Sequence, residues 1–213
     1  MMYKKVSDLF LMDRKKMLFY FNKADAVLKE MGKSLSIWVS GGANMCFYIR
    51  SRESTHDIDT YPDDEAVLRE LSRNMQKLFP LPNAWLNASG RIFITERMRE
   101  ESEQGLNFNH LKVNFLRAEA MLVLKVLAGR TGEEFHDVED TVALLKHLNI
   151  KSLNAVDALI MEYKEDWNTP LVMHFANEAL KKCWGDDVEP IDKETASESL
   201  KRYLAIKPPE APL

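Results

Sequence analysis

The chain is short of cysteine, of long apolar runs and of excess positive charge. Its two cysteines, Cys46 and Cys183, lie in apolar contexts without metal-ligand spacing. That pattern argues against a thiolate metal centre and for two buried thiols in a reducing cytoplasm. The five histidines (His56, His110, His136, His147 and His174) show no zinc spacing either. Nothing approaches the roughly 20 consecutive apolar residues of a membrane span, so no membrane partner is expected. The N-terminus, Met1-Met2-Tyr3-Lys4-Lys5, runs into charged residues without the apolar stretch of a signal peptide. With 29 Lys and Arg against 33 Asp and Glu, the net charge of −4 argues against a broadly basic nucleic-acid surface. A local basic channel is still allowed, because phosphate contacts need only a cluster of cations on one face. No internal repeat or low-complexity block interrupts the 213 residues. They are enough for one domain, or for a small domain with a helical extension, in the cytoplasm.

Against that plain background one stretch stands out. An apolar run from Leu35 to Val39 ends in Ser40-Gly41-Gly42, a mostly apolar segment follows, and Arg52-Glu53-Ser54-Thr55-His56-Asp57-Ile58-Asp59 comes next. If His56 to Tyr61 is a strand, Asp57 and Asp59 share one face while Ile58 points into the core. Two like charges so close favour a cation. Mg²⁺ is the usual occupant, since it takes one or two carboxylates and leaves its other positions to water and substrate phosphates. A glycine turn into a helix presents backbone N–H groups to a triphosphate. Ser40, Gly41 and Gly42 are therefore expected to hold a nucleotide through hydroxyl and backbone donors. Arg52 either reaches its phosphates or sits in solvent, and Thr55 orders the turn through a local side-chain to backbone bond.

The rest reads as a small mixed sheet flanked by helices, followed by a helical C-terminal half: an α/β (α+β) protein. A core at 1–116, a helical region at 117–206 and a frayed tail at 207–213 are expected. The first 31 residues read as helical, closed by Gly32. Leu35 to Ser40 is a strand, Ala43 to Arg50 a helix, and Pro62 ends the Asp-Ile-Asp strand. Asp63-Asp64 caps a helix to about Lys77, and Pro80-Leu81-Pro82-Asn83 is a loop. A strand at Ile92-Phe93-Ile94 and a charged loop come next, then one or two strands across Leu106 to Phe108 and Leu111 to Phe115. Helices are placed at Arg117 to Gly129, Glu134 to Leu148, Leu153 to Trp167, Leu171 to Trp184 and Lys193 to Ala205.

Two residues of the helical half attract attention. Lys125 lies in Met121-Leu122-Val123-Leu124-Lys125-Val126-Leu127-Ala128, apolar on every side, so its ammonium must snorkel to water or meet an anion. Arg130 either backs it or caps the helix. Asp137 opens an amphipathic helix with Val138, Val142, Leu145 and Leu148 on its core side, which puts the carboxylate at the edge of that stripe. A first-turn aspartate also suits the helix dipole without any chemistry.

The glycine turn followed by an Asp-x-Asp strand resembles the nucleotidyltransferase superfamily. More narrowly, Gly41-Gly42-Ala43, the Arg52 to Asp59 segment, the helix of Lys125 and His136-Asp137-Val138-Glu139-Asp140 resemble the bacterial AbiEii-like group, toxins of type IV toxin–antitoxin systems. Ala84-Trp85-Leu86-Asn87 looks like a short element of the same group. The resemblance implies an Mg²⁺-dependent transferase, with Mn²⁺ as the substitute ion, that moves a nucleoside monophosphate from an NTP to an acceptor hydroxyl. Asp57 and Asp59 would hold the metal, Lys125 and Arg130 would meet the nucleotide phosphates, and Asp137 would be a catalytic aspartate supported by Asp140. The implied acceptor is the 3′ end of tRNA, with a protein or small molecule as the alternative, and an antitoxin protein is the implied partner. Two departures stand against this pattern. The Leu111 to Phe115 segment offers Asn114 where a third carboxylate is usual, and His136 replaces an arginine or lysine. A catalytically weak nucleotide- or protein-binding module is the competing expectation.

Overall fold

A computed structural model describes residues 10–132, 135–167 and 169–188. By internal contacts the chain divides into two compact units, Met1–Arg117 and Ala118–Leu213.

In the first unit, strand β1 (Met12–Asp13) leads into helix α1 (Arg14–Glu30), and β2 (Leu35–Val39) runs into the short helix α2 (Gly41–Asn44). A π-helical turn (Met45–Ile49), β3 (Ser54–Thr55) and β4 (Ile58–Pro62) follow, then α3 (Glu65–Leu78) and β5 (Leu86–Asn87). A 3-10 turn (Ser89–Ile92), α4 (Glu96–Glu100), β6 (Glu103–Asn107) and β7 (Leu111–Phe115) complete it. Five strands form a mixed sheet in the order β5-β4-β2-β7-β6, and β1 pairs with β3 apart from it. Strand β2 is antiparallel to β4 and parallel to β7, with Trp38 opposite both Tyr61 and Asn114.

Alternation decides which way each strand faces. Leu35, Ile37 and Val39 of β2, Ile58 of β4 and Leu111, Val113 and Phe115 of β7 are buried on one face. There they pack with Met17, Phe21 and Leu28 of α1 and Leu68, Leu71 and Met75 of α3 in a single core. The opposite parity carries Trp38, Asp59, Tyr61 and Asn114, all half-buried. Helix α4 covers part of that second face: the Trp38 indole donates to Ser102 Oγ at 3.0 Å, and the Arg99 guanidinium lies 4.4 Å over the Tyr61 ring. Caps follow the expected chemistry, with Asp13 accepting from Lys16 N and Asp64 from Val67 N. Gly32 closes α1 at φ +64°, as expected.

The second unit is helical. Helix α5 (Ala118–Ala128) touches α6 (Asp137–Leu148), α7 (Leu153–Lys164) and α8 (Pro170–Trp184). No helix among the described residues is long and apolar enough to cross a membrane.

Several expectations change. Of the first 31 residues expected to be helical, 1–9 lie outside the described residues; beyond them, Met12 and Asp13 pair with Thr55 and Ser54 as strands, and α1 starts at Arg14. Ile92 to Ile94 is no strand: the 3-10 turn at Ser89–Ile92 occupies it, leaving Ile92 72% exposed, and the charged loop after it contains α4 behind a Thr95 cap. Asp57 precedes β4 rather than lying within it. Asp137 sits inside the buried face of α6 with Asp140, Thr141, Leu144 and Leu145, not at the edge of a Val138 and Val142 stripe. Cys183 is only half-buried, whereas Cys46 is buried. The helix expected at Lys193 to Ala205 and the tail at 207–213 lie outside the described residues.

Candidate functional site

The site of the first unit is assembled where β2 ends. Ser40 leaves the strand with its N–H on the Asp59 carbonyl at 2.9 Å, and its buried hydroxyl turns to the same oxygen at 3.4 Å. Gly41 then takes φ +61°, a conformation that costs glycine nothing. A methyl group there would stand 2.5 Å from Asp59 Oδ2, and one on Gly42 would stand 2.6 Å from Thr55 Oγ1 and 2.8 Å from Arg52 Nη1. The two glycines are thus squeezed between the acid strand on one side and Thr55 with Arg52 on the other. Side-chain-free backbone is the only kind that fits between them. Asn44, fully buried, fastens the turn by donating to the carbonyls of Val39 and Leu116, each at 3.0 Å.

Thr55 does what its position predicts, donating from Oγ1 to the Asp57 carbonyl at 3.1 Å. The pairing of β3 with β1 holds that segment in place, and His56 Nδ1 lies 3.0 Å from the Phe10 carbonyl. Burial, and after it the Asp59 charge, push the Asp57 carboxyl up from 3.8 to about 6, with His56 and Arg52 offsetting only part of the rise. An acid pair whose own surroundings leave it under-neutralised attracts an external cation.

The donor set fits a hard divalent ion. Asp59 Oδ2 stands beside backbone that approaches it without a side chain, with the Asp57 charge close enough to be felt by its neighbour. Two protein carboxylates suit Mg²⁺ or Mn²⁺, which keep several positions for water and phosphate, better than Zn²⁺, which wants three or four protein ligands. Asn114 stands on the same sheet face, with its amide on the Ile37 carbonyl at 3.3 Å.

The second unit gathers the other candidates. Lys125, 7% exposed, lies 2.9 Å from Asp137 and 2.8 Å from Asp140, and Arg130 reaches Asp137 at 2.7 Å. The ammonium in the apolar helix has met anions, and they are the carboxylates of α6. For Asp137, burial alone would raise the carboxyl, but the hydrogen bonds from Arg130 and Lys125 prevail and hold it below its ordinary value. Arg130 also lies over the Phe135 ring. The sequence-expected residues therefore fall into two sets: Ser40, Gly41, Gly42, Arg52, Thr55, Asp57 and Asp59 in one unit, and Lys125, Arg130 and Asp137 in the other.

Sequence reasoning missed Ser89, whose hydroxyl donates to Asp59 Oδ1 at 2.7 Å. No spacing rule announces a serine 30 residues downstream of the acid it touches; only the pairing of Asp59 with Asn87 brings it there.

No family model matches the chain, and no curated protein matches it. Among solved structures it is similar to an antigenic nucleotidyltransferase-like protein from Paracoccidioides brasiliensis, at 15% identity and a TM-score of 0.48, over 90% of this chain and 95% of that one. So distant a likeness fixes neither family nor chemistry.

Proposed function

We propose that the protein is a nucleotidyltransferase that uses Mg²⁺ to move a nucleoside monophosphate from an NTP to an acceptor hydroxyl, releasing pyrophosphate. The observation that carries this reading is the glycine pair pressed between Asp59 and the Thr55–Arg52 side, with the under-neutralised Asp57 next to it. Asp57 and Asp59 are the residues that would hold the metal. When bound, the ion neutralises charge developing on the α-phosphate and pyrophosphate and favours loss of the acceptor proton. The chain's own part is positional. Gly41 and Gly42 let the triphosphate approach the backbone, whose first-turn N–H groups the helix itself does not use. The Arg52 guanidinium beside Gly42 supplies a fixed positive charge for the phosphates. Ser40 holds the end of β2 against the Asp59 backbone, so turn and acid move as one.

In the second unit Lys125 and Asp137 enter the proposal as the buried ion pair that holds Arg130 in place, and the more exposed Arg130 guanidinium is the group there that would meet a phosphate. The AbiEii-like resemblance of the motifs supports tRNA 3′ ends as acceptor and a cytoplasmic toxin restrained by an antitoxin protein; a protein or small-molecule acceptor is the alternative. Asn114 at the place of a third carboxylate favours the second reading, a nucleotide-binding module with weak turnover.

The test is label transfer with purified protein, Mg²⁺, each α-labelled NTP and total cell lysate, beside Asp57→Ala. Label in RNA is expected, and label in protein or a small molecule reassigns the acceptor. Nucleotide binding without any Asp57-dependent transfer refutes the enzyme and leaves the binding module.

A further inference from the structure

The two oxygens of Asp59 face different surroundings. Oδ1 accepts from Ser89 Oγ at 2.7 Å, whereas Oδ2 is the atom that confronts Gly41, where a methyl group would meet it at 2.5 Å. Ser89 is exposed, so its hydroxyl has water available and no packing need to bind a carboxylate. Its place is nevertheless built. The Ser89 N–H donates to Asn87 Oδ1 at 2.9 Å, and Asn87 pairs with Asp59 in the β4–β5 register. The Asn87 carbonyl receives the Thr60 hydroxyl at 2.8 Å. Gly90 presses so closely on β4 that a Cβ would fall 2.9 Å from the Thr60 carbonyl carbon and oxygen. Arg91 ties the far side of the turn to Glu65 at 2.6 Å. A register pair, a glycine contact and an ion pair thus converge to bring one hydroxyl to one carboxylate oxygen.

We propose that Ser89 is a positioning residue for Asp59: it occupies Oδ1 and fixes the carboxylate plane, so that Oδ2 alone is presented to a divalent cation at the glycine turn. This rests on the reading of Asp57 and Asp59 as a metal site. A hydroxyl that only finished a surface turn would leave the metal affinity untouched. One that orients a ligand governs it, because outer-shell partners of metal ligands are typically worth about 10–100-fold in affinity or activity.

The experiment titrates the whole protein with Mn²⁺ alone, without nucleotide, and counts unbound ion by its paramagnetic resonance signal. Wild type, Ser89→Ala, Ser89→Thr and Asp59→Asn are compared, each with its melting temperature. Ser89→Ala is expected to weaken Mn²⁺ binding about 10-fold at an unchanged melting temperature, with Ser89→Thr restoring most of it. If Ser89→Ala binds Mn²⁺ as tightly as wild type while Asp59→Asn does not, the positioning role is overturned and the metal site stands. If Ser89→Thr fails to restore binding although it melts like wild type, a specific hydroxyl-to-carboxylate role is likewise overturned. If wild type itself binds no Mn²⁺, or Asp59→Asn binds it equally well, the metal-site reading falls and takes this inference with it.

Discussion

Each unit carries a pair of aspartates, and the two pairs are treated in opposite ways. Asp137 and Asp140 are both almost fully buried, yet Lys125 lies between them and Arg130 backs Asp137, so Asp137 is held ionised below its ordinary range. Asp57 and Asp59 are half-buried, yet Asp57 is driven up to about 6, by burial first and by the Asp59 charge next. Burial acts to raise the carboxyl in both pairs; what separates them is the supply of positive charge that opposes it. A buried ion cluster of this kind completes itself within the fold. The half-buried pair at the glycine turn has a net demand for a cation that its own neighbours do not meet.

The sharpest way to break that comparison is to remove charge from each pair in turn. Asp57→Ala should abolish transfer of label from an α-labelled NTP, by about 10³-fold or more, since a metal's stabilisation of transition-state charge is worth several kcal/mol. Lys125→Met should lower the stability measured by urea unfolding by about 3–5 kcal/mol, the usual cost of stranding a buried charge by deleting its partner. An equal loss of stability in the first variant would erase the distinction between the pairs. Gly41→Ala combines a left-handed φ with a Cβ at 2.5 Å from Asp59. It should cost about 1–3 kcal/mol in the same assay and weaken Mn²⁺ binding, whereas Gly32→Ala, with nothing within 4 Å of its Cβ, should pay for strain alone and leave Mn²⁺ binding unchanged.

The smallest effect has the most telling sign. A carboxyl raised in the folded state contributes stability below its unfolded value of 3.8 that is lost as pH rises through about 6. Asp57→Asn should therefore stabilise the metal-free protein at pH 7.5 by about 1–2 kcal/mol, a figure discounted for solvent screening of a half-exposed group. The gain should vanish near pH 3.5, and Mn²⁺ should bind more tightly as pH rises through about 6. Asp137→Asn should act in the opposite direction. Its carboxyl is lowered, so its contribution is present above 3.8 and disappears as pH falls through its still lower folded value.

The glycine pair, the two acids and the apolar strand were legible because each follows from local chemistry: φ freedom, alternation, like charge at close spacing. Local also were the caps at Asp64 and Gly32 and the Thr55 bond to the Asp57 carbonyl. What escaped was set by partners distant in sequence. Met12 and Asp13 read as part of a helical stretch, yet Thr55 and Ser54 pair with them as strands. On α6 hydrophobic spacing points to Val138 and Val142, but the cations from α5 and its end make Asp137 and Asp140 the residues to bury. Ser89 reaches Asp59 only through the short β4–β5 pairing.

Gly41 has a last consequence, which concerns handedness. Its φ of +61° belongs to the basin that a D-residue prefers, and the direction in which it meets Asp59 is that of an L side chain. A mirror-image joint thus stands at the point where backbone and acid converge. Ala84 shows that an L residue can adopt such a φ, so what reserves the position for glycine is the carboxylate that an L side chain would strike. A chemically installed D-alanine, with hydrogen where the L-methyl would strike the carboxylate, would relieve the backbone strain that an L-alanine imposes there.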